Sequence, residues 1–144
     1  MSQHDALESP SVPPLGLSLG VLMSIFIGGA LGTVARYLLD TTFVVSAGHF
    51  PTTTLLINLS GSLAIGLVIP WTESIEATWP LARPFLVIGI LGGWTTYSTL
   101  AVDAVLLAKT QHLGLAGAYL AATLIGGIAL VALGAAIGRR VASR

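Results

Sequence analysis

Residues 92–99 read Gly-Gly-Trp-Thr-Thr-Tyr-Ser-Thr: two glycines, a tryptophan and five hydroxyl-bearing residues in a row, set inside a long apolar stretch. Glycines and hydroxyl residues are weak helix formers, and the hydroxyls offer the backbone competing hydrogen bonds, so a helix is predicted to break there. Broken backbone at membrane depth is tolerated only where it is buried in protein or lines a wet cavity. Freed carbonyl oxygens suit a hard cation, whereas hydroxyls and N–H groups suit an anion. The stretch predicts an ion site on a discontinuous third transmembrane helix.

Other polar residues recur at helical spacing. Thr54, Asn58 and Ser62 stand four apart, which puts three polar side chains on nearly one helix face. Asn58 falls near mid-span, where an amide must find partners and carries two N–H donors suited to an anion. For all three, interhelical hydrogen bonding is the competing reading. Tyr119 and Thr123 repeat the spacing, followed by Gly127. Their hydroxyls either line a path or, for Thr123, bond the carbonyl one turn back. Arg36 and Asp103 are the charges best placed to lie inside spans. Arg36 reads as an anion attractor or as a snorkelling, structural contact, and Asp103 as structural.

Catalysis finds little support. His4, His49 and His112 fall in tail or loop positions, and no metal-ligand or nucleophile motif spans them. The absence of cysteine excludes disulfides and thiolate metal sites. A formal net charge of zero leaves no basic patch, which argues against nucleic acid as a partner.

These residues need a membrane scaffold to position them. Of 144 residues 54% are hydrophobic and 8% charged, and the mean hydropathy is +0.90. Such values lie outside the range of soluble domains and indicate an all-α integral membrane protein with the lipid bilayer as its solvent. Four apolar spans are predicted over 15–39, 52–71, 82–108 and 113–138, each long enough for roughly 30 Å of hydrocarbon. Residues 1–14, with three prolines and no Lys or Arg, predict a disordered tail rather than a secretory signal. Residues 139–144 form a basic tail, and 15–138 the membrane unit. Trp71 and Trp79 flank the second connection as interface anchors. Arg83, Arg139, Arg140 and Arg144 share one side against Arg36 and Lys109, which favours both termini inside.

Small residues four apart supply close-contact faces: Gly28 and Gly32, Ser62 and Gly66, Gly89 and Gly93, Gly134 and Gly138. Each pair serves packing within the chain or between subunits. Because four helices seldom enclose a pathway alone, a homodimer or heterodimer is expected.

Three segments carry a family resemblance: Gly28-Gly29-Ala30-Leu31-Gly32-Thr33-Val34-Ala35-Arg36-Tyr37, Thr54-Leu55-Leu56-Ile57-Asn58-Leu59-Ser60-Gly61, and Gly92 through Leu100. Together they resemble the small fluoride channels of the Fluc, or CrcB, family, and the likeness covers all four spans. It implies an antiparallel dual-topology dimer in a bacterial plasma membrane, passing fluoride passively outward with no reaction catalysed. By the same resemblance, the backbone carbonyls of Gly92 and Thr95 would hold a central sodium ion. Asn58, Tyr97, Ser98, Thr99, Tyr119 and Thr123 would line the fluoride pathway, Arg36 would be the helix-one arginine, and Asp103 the acid after the break. Fluoride is small and strongly hydrated, so such a pore must replace water with hydrogen-bond donors and positive aromatic edges.

This chain departs from the family at Tyr97 and Leu100, where two phenylalanines are usual, and at Gly127, where the polar track could continue. A non-conducting or half-active partner subunit of a heterodimer is therefore one alternative. A small proton-coupled multidrug-type transporter is another, weakened because spans one and two hold no deep carboxylate apart from Asp40 just beyond the first.

Overall fold

The computed structural model describes residues 18–46 and 48–142. The expected tail over 1–14, the first residues of the first span and Arg144 lie outside the described residues. Among those described, every regular element is helical: α1 Leu19–Thr42, α2 Thr52–Ser74, α3 made of Pro84–Leu91 continued by Gly92–Trp94, α4 Tyr97–Lys109 and α5 Leu113–Ala142. Four segments are long and apolar enough to cross a membrane, namely α1, α2, α3 with α4 as Pro84–Lys109, and α5. The chain is a multi-pass membrane protein.

Local chemistry sets the boundaries. Ser18 caps α1 by accepting a hydrogen bond from Val21 N at 3.3 Å. α2 follows Pro51, and the loop before it is tied down by the Thr53 hydroxyl, which donates to Phe43 O at 2.7 Å. Pro84 opens α3, where its missing N–H removes no intrahelical bond. The turn between α4 and α5 closes through Gln111 in the left-handed region, φ 64°. α5 runs on to Ala142, so Arg139 and Arg140 stand in its last turn, where cations complement the helix dipole.

The helices pair as α1 with α3, α2 with α5, and α4 with α5. Glycines make the first two contacts possible. A Cβ on Gly28 would strike Phe85 O and come within 3.1 Å of Gly89 Cα, and one on Gly93 would lie 2.5 Å from Gly29 O. The first eight residues of α3, Pro84–Leu91, have π winding, and their carbonyls lie against this glycine face of α1. Across the bundle, a Cβ on Gly138 would lie 2.6 Å from Leu67 O, and Gly66 and Gly134 meet face to face in the same way. All these glycines thus serve packing within the chain, where close backbone approach substitutes for a hydrophobic drive that lipid does not provide.

The buried core is small and partly polar, with Ile57, Leu107, Ala116 and Tyr119 beside Thr54, Asn58, Thr72 and Thr96. Large apolar side chains such as Phe26, Leu56 and Leu124 point outward. That inversion suits a chain whose surroundings are hydrocarbon.

Candidate ion site at the α3–α4 junction

Between Trp94 and Tyr97 the backbone leaves the helical region: Thr95 has φ −75° and ψ 155°, and Thr96 has φ −144° and ψ 123°. Hydroxyls cap both sides of this extended pair. Thr95 gives its N–H and its Oγ1–H to Leu91 O, at 3.1 and 3.0 Å. Thr96 Oγ1 accepts from Thr99 N at 3.1 Å, a side-chain N-cap for α4. These local bonds are the alternative to helix that the hydroxyl run provides.

Three side chains from α1, α2 and α3 fasten the junction. Asn58 Nδ2 donates to Thr96 O at 3.0 Å, and Thr96 N donates to Asn58 Oδ1 at 2.8 Å, both buried. The carboxamide therefore takes the place that a neighbouring peptide would fill, pairing a backbone N–H and C=O that no helix satisfies. Arg36 Nε donates to Gly93 O at 3.1 Å, while its Nη1 lies 3.8 Å from Asp40 Oδ2. The Trp94 indole N–H reaches Ile57 O at 3.0 Å and Ser60 Oγ at 3.1 Å. Gly61 leaves room for this docking, since a Cβ there would strike the Thr95 methyl and sit 3.1 Å from the Trp94 ring.

The remaining oxygens are distributed unevenly. Leu91 O, Gly93 O and Thr96 O each accept a hydrogen bond, but among the described residues no donor meets Gly92 O, Trp94 O or Thr95 O. No group of three His, Asp or Glu side chains converges among those residues. The oxygens the junction leaves open to a cation are neutral, chiefly backbone carbonyls, which hard cations accept as ligands.

Around the first turn of α4, the Thr96 hydroxyl contacts Ser98 Oγ at 3.2 Å and donates to Thr99 Oγ1 at 3.0 Å. Tyr97 projects outward, 83% exposed. With Ser62, Leu100, Thr123 and Gly127 it lines a groove of about 760 Å³. Thr123 gives its hydroxyl proton to Tyr119 O, one turn back, at 2.8 Å. Tyr119 itself is fully buried, its ring edge-on to Phe50 with centroids 5.7 Å apart. Its hydroxyl donates to Asp103 Oδ2 at 3.2 Å, and the Thr54 hydroxyl donates to the same oxygen at 2.8 Å. Asp103 thereby ties α2 and α5 to α4.

The structure thus gathers Arg36, Asn58, Gly92 and Thr95 at the junction, with Ser98 and Thr99 one turn away and Tyr97 and Thr123 along the groove. Tyr119 stands apart in the core. Sequence reasoning did not single out Trp94 or Thr96 as functional residues. The available signal for Trp94 was its depth: an indole N–H far from either interface must find an acceptor, and Ser60 stands in the facing motif.

Comparison with known proteins adds relatives to this geometry. A family model described as CrcB-like protein, Camphor Resistance (CrcB), matches residues 23–135. A Bacillus subtilis protein named fluoride-specific ion channel FluC 2 is 41% identical over 122 residues, covering 85% of this chain and 90% of its own. A Xanthomonas axonopodis pv. citri protein named fluoride-specific ion channel FluC is 38% identical over 119 residues, 81% of this chain and 89% of its own. Fluoride-specific ion channel FluC 3 of Streptomyces avermitilis is 38% identical over 128 residues, 89% of this chain but 63% of its own length.

Proposed function

The chain belongs to the CrcB family, and from that premise we propose that it is a fluoride channel, carrying the ion passively across the membrane and lowering internal fluoride. The observation that carries this reading is the junction at Thr95 and Thr96, extended backbone in the middle of a membrane span and secured from two neighbouring helices by Arg36 and Asn58. Held open in this way, a discontinuous third helix offers hydroxyls and N–H groups to an anion on one side and bare carbonyls to a cation on the other.

Fluoride must exchange its water for donors of comparable strength, and donors without a deep uncompensated charge let it leave again. Asn58 has a second N–H, since one suffices for Thr96 O. Tyr97, Ser98 and Thr99 continue from it along the first turn of α4, and Thr123 extends the track on α5, with the buried Tyr119 behind it holding Asp103. Transport by such a row needs no bond to be made or broken, so the protein acts as a channel rather than an enzyme.

A sodium ion fits the residues present, because Gly92 O and Thr95 O, like Trp94 O between them, meet no hydrogen-bond donor among the described residues and keep their lone pairs. Those oxygens are too few ligands for one ion, which supports an antiparallel dimer in which a second copy brings its own. The exposed Tyr97 ring and the groove beside it suit the same arrangement, with a pathway completed between subunits.

Purified chain in liposomes, with efflux read by fluoride electrode beside a chloride control, tests the proposal. Fluoride release without chloride release is expected. Silence from folded protein, or equal release of both anions, would refute a self-sufficient fluoride channel.

A further inference from the structure

We propose that Arg36 is a positioning residue for the carbonyl pair at the junction rather than a collector of anions. The inference rests on the cation reading of Gly92 O and Thr95 O and deepens it. When α3 stops at Trp94, its last carbonyls lose their partners together. Leu91 O is recovered by Thr95, and Gly93 O would remain as a further bare oxygen among those that face no donor. Arg36 Nε takes that oxygen at 3.1 Å. Arg36 thus takes one carbonyl out of the bare set, leaving those of Gly92, Trp94 and Thr95, and pins the turn carrying them to α1.

A guanidinium beside a cation site carries a cost, since like charges repel and the low dielectric strengthens the effect. Asp40 answers it. One helical turn beyond Arg36, its carboxylate lies 3.8 Å from Nη1, drawing the charge toward the far end of the fork. Arginine alone suits this arrangement, because a planar fork donates from Nε to a carbonyl while presenting Nη1 to a carboxylate, with its charge delocalised between them. A lysine ammonium is a single point: seated on Gly93 O it brings its whole charge to the junction, and seated on Asp40 it abandons the carbonyl. An anion collector would instead present its whole fork, yet Nε is engaged by a carbonyl and Nη1 lies toward a carboxylate, which leaves Nη2 alone uncommitted.

The test uses the purified full chain and two variants, Arg36→Lys and Asp40→Asn. Sodium replaces N-methylglucamine at constant ionic strength while the thermal unfolding midpoint is read, a signal independent of flux. The wild-type chain is expected to be stabilised saturably by sodium. Arg36→Lys should need about tenfold more sodium for half the effect, the scale of one lost hydrogen bond to a charged group, and Asp40→Asn should need more as well, because nothing then draws the guanidinium charge away from the carbonyls. Asp40→Asn keeps the Gly93 bond, so it decides the matter even if Arg36→Lys fails to fold. Unmoved sodium midpoints in the folded variants, with fluoride efflux reduced at every sodium concentration, would overturn positioning in favour of anion collection. A wild-type chain indifferent to sodium would remove the cation reading itself, and this inference with it.

Discussion

Replacing Asn58 by leucine tests the junction most directly. The side chains are similar in size, so the change leaves little cavity and acts through the two hydrogen bonds to Thr96, at 3.0 and 2.8 Å. Asn58 and Thr96 are each 8% exposed, so water does not substitute for the lost carboxamide. Each orphaned backbone group costs about 1–3 kcal/mol, or roughly 2–6 kcal/mol for the N–H and C=O of Thr96 together. In a soluble protein the added apolar surface of leucine would offset part of this. In a bilayer it recovers little, because lipid tails are as apolar as the protein interior. Asn58→Leu should therefore lower the unfolding midpoint in detergent as well as abolish fluoride efflux. Asn58→Asp separates the two bonds: it keeps an acceptor for Thr96 N but sets an oxygen against Thr96 O. Loss of efflux with an unchanged midpoint would refute the clamp and leave Asn58 as a pore donor alone. If neither quantity changed, Asn58 would have no part in the junction at all.

Two further perturbations probe the scaffold and the pathway. Gly134→Ala sets a methyl within 2.9 Å of Leu67 N and closer still to Leu63 O, whereas Gly114→Ala meets nothing within 4 Å. Thermal unfolding of the two should diverge: a loss of about 1–3 kcal/mol from overpacking at Gly134, against a gain of up to about 1 kcal/mol from helix propensity at Gly114. Equal stability would mean that α2 and α5 do not approach as closely as described. Leu100→Phe adds a ring edge to the groove beside Tyr97 and Thr123. Efflux per protein should rise, and an unchanged rate would mark position 100 as silent.

The four spans were legible because apolar length alone decides whether a helix can cross hydrocarbon. Glycine pairs were legible as close-contact faces but not as to partner. The motif states that a backbone can approach at Gly28 or Gly134, and says nothing of which helix arrives. Asn58 was recognisable as an amide in need of partners. That its partner is the backbone of Thr96 was not, because an unpaired N–H and C=O exist there only once α3 has stopped and α4 has begun. The same holds for Arg36 and Gly93 O, and for the Trp94 indole on Ile57 O. Side-chain patterns carry no record of backbone groups that become orphans in three dimensions.

Hydrogen-bond direction constrains how an anion would use the residues proposed for the pathway. Fluoride needs donors, and several hydroxyl protons nearby are already committed: Thr123 to Tyr119 O, Thr96 to Thr99 Oγ1, Tyr119 and Thr54 to Asp103. Thr123 presents the groove with lone pairs until its proton turns away from the helix, a step that gives up about 1 kcal/mol of net hydrogen bonding. The Tyr97 hydroxyl meets no acceptor among the described residues, and Asn58 uses one of its two N–H groups on Thr96 O. An anion in the groove would therefore meet Tyr97 as a ready donor and Thr123 only after its hydroxyl rotates. Sites of unequal readiness in sequence favour passage over trapping, because no single point holds the ion with every donor at once.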